Sequence, residues 1–233
     1  MPFDTEQDKR IFYGRRQGRR LRKEHRRLIT ETLPTLTIDL ETDLSDPARL
    51  FKTKPTSVWL EIGFGGGEHL ATQAAAHPGI GFIGCDPFLN GVARLLGEIE
   101  TNSLSNIRIF TDDARLVLDA LPEASIDRCF ILFPDPWPKR RHQRRRIISP
   151  KTLSAIARVL TDGALLRMAS DHRDYIRWML FHTLGHDAFE WLARKPADWR
   201  QRPADGPMTR YEEKAAERGV DSIYLEFQRR RRQ

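Results

Sequence analysis

From Ser57 to Leu184, short apolar runs take turns with stretches of helical spacing, a pattern that leaves few architectures open. SVWLEI (57–62), IGFIGCD (80–86), IRIFT (107–111), IDRCFILF (126–133) and ALLRMAS (164–170) read as buried strands, and SIYLEFQ (222–228) as a last one. Between them, segments through 74–76, 90–100, 114–121, 150–160 and 174–184 read as helices. Strands alternating with helices imply an α/β fold of Rossmann-like kind, a mostly parallel sheet with helices on both faces. In such sheets ligands bind at the carboxyl ends of the strands.

Those ends carry acids and glycines. Glu61-Ile62-Gly63-Phe64-Gly65-Gly66-Gly67 opens the first crossover. Glycines there permit a sharp turn and a close approach of ligand to backbone. A dinucleotide fingerprint starting at Gly63 would need glycine at position 68, which is Glu68. The E-x-G-x-G-x-G form instead resembles that of class I S-adenosylmethionine-dependent methyltransferases, with Gly63, Gly65 and Gly67 against the cofactor. Asp86, closing the second strand, can accept both ribose hydroxyls of an adenosine. Asp113, after the third, can accept from the adenine amino group, and Glu61 can face the methionine ammonium. Any one of these acids also reads as a helix cap; three in order at strand ends are hard to explain that way.

Charge is placed unevenly. The formal net is +7, yet residues 9–27, 139–146 and 229–232 hold 20 of the 39 Lys and Arg. They hold one of the 32 Asp and Glu, which leaves 19 cations against 31 acids elsewhere, a net of −12. Three dense arginine-rich blocks on an otherwise acidic chain point to a phosphate-bearing partner, a nucleic acid. Cys85 and Cys129 sit inside expected strands, as free thiols of a reducing cytoplasm would. The scattered histidines give no metal-ligand spacing, so no metal is expected. No apolar run suits a membrane span, and MPFDTEQDK is too polar for a secretory leader. The expected organisation is a basic, partly disordered arm over 1–33, helical through Leu21–Leu33, and a connector over 34–56. A catalytic domain then covers 57–233, with a long polar loop at 194–219 that reads as a linker or a lid. The chain is expected to act as a monomer or a homodimer.

The fourth strand runs into Phe133-Pro134-Asp135-Pro136-Trp137-Pro138-Lys139. Flanking prolines stiffen the turn that holds Asp135, and Trp137 offers a face for a base to stack on. The motif resembles the D/N-P-P-aromatic motif of enzymes that methylate nucleobase nitrogens. Its junction with Lys139-Arg140-Arg141-His142-Gln143-Arg144-Arg145-Arg146 is similar to the bacterial tRNA (guanine-N7-)-methyltransferase family. So are Arg15-Arg16-Gln17-Gly18, Asp171 with Tyr175, and Thr209-Arg210-Tyr211-Glu212, and the likeness runs from about Arg10 to Phe227.

The resemblance implies S-adenosylmethionine as cofactor, tRNA as partner, and methylation of guanine 46 in the variable loop. It implies that Glu61, Asp86, Asp113 and Asp135 contact the cofactor, Asp135 being also the catalytic position. Lys139, Asp171 and Thr209, Arg210, Tyr211 and Glu212 would contact the substrate. Arg141, His142, Gln143, Arg144, Arg145 and Arg146 would contact RNA. The family usually has Glu where this chain has Asp86 and Thr where it has Ser170. Two readings compete: a methyltransferase acting on an exocyclic amine, which would leave a different product, and a non-catalytic RNA-binding subunit, which should have lost the glycines or the acids.

Overall fold

The computed structural model describes residues 13–41 and 44–232; the first part of the basic arm, 1–12, lies outside the described residues. The expected arm helix begins as α1 (Lys23–Arg27), passes through a π-helical turn (Leu28–Thr32) and ends as α2 (Leu33–Leu36). Leu28 buries itself beneath Leu96 and Ile99, and Arg27 pairs with Glu100 at 2.6 Å. The stretch expected as a connector contributes to packing too. Ile38 N–H donates to the Ile109 carbonyl at 2.9 Å, and Ile38, Leu44, Ala48 and Phe51 enter the main core.

The alternation begun at Ser57 unfolds as β1 (Ser57–Ile62), α3 (Glu68–Ala76), β2 (Ile80–Cys85), α4 (Leu89–Thr101), β3 (Ile107–Phe110), α5 (Ala114–Ala120) and β4 (Ile126–Leu132). It continues as α6 (Pro150–Val159), β5 (Leu160–Ser170), α7 (Arg173–Leu184), β6 (Phe189–Trp191), α8 (Ala197–Arg200), α9 (Arg210–Glu217) and β7 (Ile223–Arg229). Among the described residues these strands form one seven-stranded sheet in the order β3-β2-β1-β4-β5-β7-β6. Pairs up to β4–β5 are parallel; β7 runs antiparallel to both β5 and β6. Two apolar clusters cover the sheet. One gathers Leu60, Ile131 and Leu166 with α5, α6 and α7, and the other Phe82 and Ile109 with α3, α4 and Leu28. Strand order reverses between β1 and β4, so the crevice that such sheets use for ligands lies where β1 and β4 end.

Three local features depart from the sequence expectations. The edge strand β6 is only three residues, too short for a periodicity to register. The polar 194–219 stretch contains α8 and α9 rather than unbroken loop. The basic cluster at 229–232 is partly internal: Arg229 donates to the Ala157 carbonyl, and Arg232 to those of Arg158 and Leu160 at 2.8 and 2.7 Å while pairing with Glu123 and Asp162. Those two guanidiniums staple the chain's end to the start of β5. Cys85 and Cys129 are free and buried, and burial pushes both thiols far up from their usual range. No helix among the described residues is long and apolar enough to cross a membrane.

Candidate active site

The turn after β1 is set by backbone geometry that glycine alone adopts without strain. Gly63, Gly65 and Gly67 have φ of 78°, 57° and 83°. The start of α4 presses on this turn so closely that a Cβ on Gly91 would lie 1.9 Å from the Gly65 carbonyl oxygen. Beside the turn lies a cavity of about 430 Å³, well inside the range of small-molecule sites. It is walled by Gly63 and Gly65, by Asp86, by Asp112 and Asp113, and by Phe133 to Asp135.

Asp86 is buried at the cavity wall. One carboxylate oxygen accepts the Gly65 N–H and the other the Phe88 N–H, each at 2.8 Å. Burial raises its pKa to about 6, against the pull of those two bonds and with help from the negative charge of Asp135 and Glu61. Glu61 is also buried, but its carboxylate is turned to His69 on α3 at 2.7 Å, and it does not line the cavity. Gly67 stands behind the cavity wall, where a Cβ would meet Leu95 at 2.6 Å. Asp113 lines the cavity while capping α5, accepting the Arg115 N–H at 3.0 Å, and both its oxygens bind the Arg115 guanidinium. A carboxylate so engaged has little left for an adenine amino group. Its neighbour Asp112, which the sequence reading passed over, shares the wall and holds Arg16 of the arm at 2.6 Å.

Asp135 sits between two residues in left-handed backbone, Phe133 (φ 50°) and Trp137 (φ 42°). Each such non-glycine conformation costs on the order of 1–3 kcal/mol and persists only where the surroundings impose it. Asp135 opens onto the cavity, and desolvation by the walls still holds its carboxyl above the usual range. The Phe133 ring lies nearly parallel to that of Tyr211, 8° from coplanar orientation, with centroids 6.3 Å apart. Trp137 also lines the cavity, with the Arg145 guanidinium 4.9 Å from its ring and 4.5 Å from that of Tyr13.

The basic run after this turn winds into a 3-10 helix, Arg140–Arg145. Arg144, Arg145 and Arg146 reach the cavity, whereas Lys139, Arg141, His142 and Gln143 stand outside it. Arg146 departs from its expected role as an RNA contact. It is buried, donates to the Pro136 carbonyl at 2.9 Å, pairs with Asp174, and lies over the rings of Tyr175 and Trp178 at 5.0 and 4.9 Å. A guanidinium enclosed this way is a strut between the motif and α7, with no reach to solvent phosphate.

The late segment brings Tyr211 to the cavity by a clasp that no sequence pattern signals. Asp205 binds Arg128 of β4 at 3.0 Å and Arg167 of β5 at 2.8 Å, and its carbonyl accepts from Gln73 of α3. Burial opposes ionisation of Asp205, but the two guanidiniums outweigh it and its carboxyl is held below the usual range. Thr209 and Glu212 then form a reciprocal capping box that starts α9, and Glu212 also accepts from the Tyr224 hydroxyl. These two residues therefore orient Tyr211 rather than reach the cavity themselves. Arg210 and Asp171 also lie outside it, Asp171 paired with Arg218 at 2.9 Å.

A family model described as "putative methyltransferase" matches residues 55–225. A tRNA (guanine-N(7)-)-methyltransferase of Rhodospirillum rubrum is 51% identical over the whole of this chain and 92% of its own length. One from Rhizobium meliloti is 48% identical over 94% of each chain. The chain belongs to the tRNA (guanine-N7-)-methyltransferase family. Among solved structures, the 16S rRNA methyltransferase KamB aligns with a TM-score of 0.54 at 14% identity, over 76% of this chain and 89% of its own. An rRNA methylase of Streptococcus thermophilus aligns at 0.53 and 13%, over 88% and 98%. Both share the fold, a class I methyltransferase sheet.

Proposed function

We propose that the protein transfers a methyl group from S-adenosylmethionine to N7 of a guanine in tRNA, guanine 46 of the variable loop. The observation that carries this is a single cavity joining the glycine turn and Asp86 to Asp135, with Arg144 and Arg145 at the same wall. The cavity suits the cofactor: its volume is right, Asp86 keeps free lone pairs on oxygens already fixed by backbone, and Gly63 and Gly65 leave the turn bare. Bound there, S-adenosylmethionine would supply a methyl group on a sulfonium, open to in-line attack by an uncharged nucleophile.

The chain's own residues then have a short task. Guanine N7 carries a lone pair and no proton, so no side chain has to act as a base. Positive charge grows on the guanine as the new bond forms, and Asp135 at the cavity wall opposes it with a fixed negative charge. Phe133 and Tyr211 offer ring faces beside Asp135, and stacking there is worth about 1–3 kcal/mol per base. N7 faces the deep, narrow groove of an RNA duplex, so the base must be unstacked or looped out to reach this cavity. Two buried free thiols suit a reducing cytoplasm.

The test is to incubate the protein with labelled S-adenosylmethionine and unmodified tRNA and identify the labelled nucleoside. The expected product is 7-methylguanosine, seen as borohydride–aniline strand scission at one site. Label in N2-methylguanosine or N6-methyladenosine would replace this reading with methylation of an exocyclic amine.

A further inference from the structure

On the far side of Tyr211 from the main cavity lies a second hollow of about 110 Å³. The two share Gly65, Phe88 and Tyr211 as common walls. Three cations surround the smaller one: Arg94 from α4, and Arg210 and Lys214 from α9. Glu68 is the acid among its walls, and its carboxylate lies 4.0 Å from Arg210. Arg94 and Lys214 make no ion pair among the described residues, and both are exposed. Arg210 and Lys214 stand four residues apart on one face of α9, a spacing at which like charges repel and weaken the helix. Two helices far apart in sequence thus aim uncompensated positive charge at one small space.

We propose that this hollow binds the backbone phosphate beside the target nucleotide, which rests on the reading that an RNA base enters the main cavity. A nucleotide is a base and a phosphate joined through a sugar, and Tyr211 is the partition such a unit would straddle. Its base would lie on the Phe133 side and its phosphate on the Arg94 side. Phosphate contacts of this kind fix register without reading sequence, which is what an enzyme acting on one nucleotide of a folded RNA requires. The arginine fork and the lysine point charge are the side chains suited to it.

The experiment compares wild type, the double variant R94A/K214A and the charge-preserving R94K/K214R. For each, tRNA binding is measured across a salt series, KM for tRNA by methylation, and cofactor Kd by calorimetry. In R94A/K214A the slope of log affinity against log salt should be shallower by about 0.7–0.9, the value for one lost phosphate contact. KM for tRNA should rise several-fold, cofactor Kd should hold, and R94K/K214R should behave as wild type. An unchanged slope and KM would overturn the proposal. So would a fall in cofactor affinity, which would assign the hollow to the cofactor's own carboxylate. Failure of the underlying reading looks different: wild type itself would then yield no 7-methylguanosine.

Discussion

Tyr211 and Phe133 face each other with parallel rings, although one belongs to α9 and the other to the turn after β4. The pairing depends on Gly65, where a Cβ would lie 3.1 Å from the Tyr211 ring. If these faces receive the base, Tyr211→Phe should keep most activity and Tyr211→Ala should lose about 1–3 kcal/mol in kcat/KM for tRNA. Cofactor Kd should stay within about twofold in both. Equal kcat/KM for the Ala and wild-type proteins would show that the base stacks elsewhere.

Asp86 gives the protein a pH signature. Its folded pKa, about 6, exceeds the ordinary 3.8, so the folded state binds a proton that the unfolded chain has released between those values. Stability of the ligand-free protein contributed by this group is therefore full below about pH 4 and is lost as pH rises through 6, a change on the order of 2–3 kcal/mol at most. Cofactor affinity should move the opposite way, rising through pH 6 as the carboxylate ionises and can accept ribose hydroxyls. Asp86→Asn should flatten both profiles. Persistence of the stability slope in that variant would assign it to another group.

The Asp205 clasp predicts a variant that damages catalysis without touching the cavity. Asp205→Asn leaves Arg128 and Arg167 facing a neutral amide and should weaken the loop's attachment by about 1–3 kcal/mol. Trypsin should then cut faster after Arg194 and Arg200, and turnover on tRNA should fall while cofactor Kd holds. Wild-type cleavage rates and turnover together would mean the loop is held by α9 alone.

Arg144 and Arg146 should separate cleanly. Arg146→Ala removes the Pro136 bond, the Asp174 pair and two aromatic contacts, a loss of roughly 2–4 kcal/mol seen as a lower Tm. Arg144→Ala should leave Tm unchanged and make tRNA binding less salt-dependent. A fall in Tm for Arg144→Ala, with unchanged salt dependence, would make both residues structural.

Apart from β6, the strands were legible because each carries a buried apolar run, and burial on both faces leaves that mark in the residues themselves. The acids at the strand ends were legible for the same reason, since strand ends locate the ligand crevice. What stayed hidden depends on contacts between distant segments. Arg144 and Arg146 are the same residue two positions apart in one basic block, and only the packing of α7 makes one a strut. Phe133 reads as the last apolar residue of a strand, and its partner lies in a stretch so polar that α9 reads as linker. Arg94 looks like an ordinary solvated residue on the outer face of α4 until α9 is folded beside it. Asp113 shows the converse: the plain expectation for an acid at the start of a helix, that it caps the helix, describes what its carboxylate does.

The place of Tyr211 in the chain also sets an order of events on the ribosome. A chain emerges N-terminus first, at roughly 5–20 residues per second. The glycine turn, Asp86 and Asp135 are all made before Asp205 and Tyr211, and β7, which those residues precede, is last of all. The walls that suit the cofactor are therefore synthesised well ahead of the ring that completes the aromatic pair. Under the proposed reading, the cofactor's side of the cavity is thus made before the side that would hold the base.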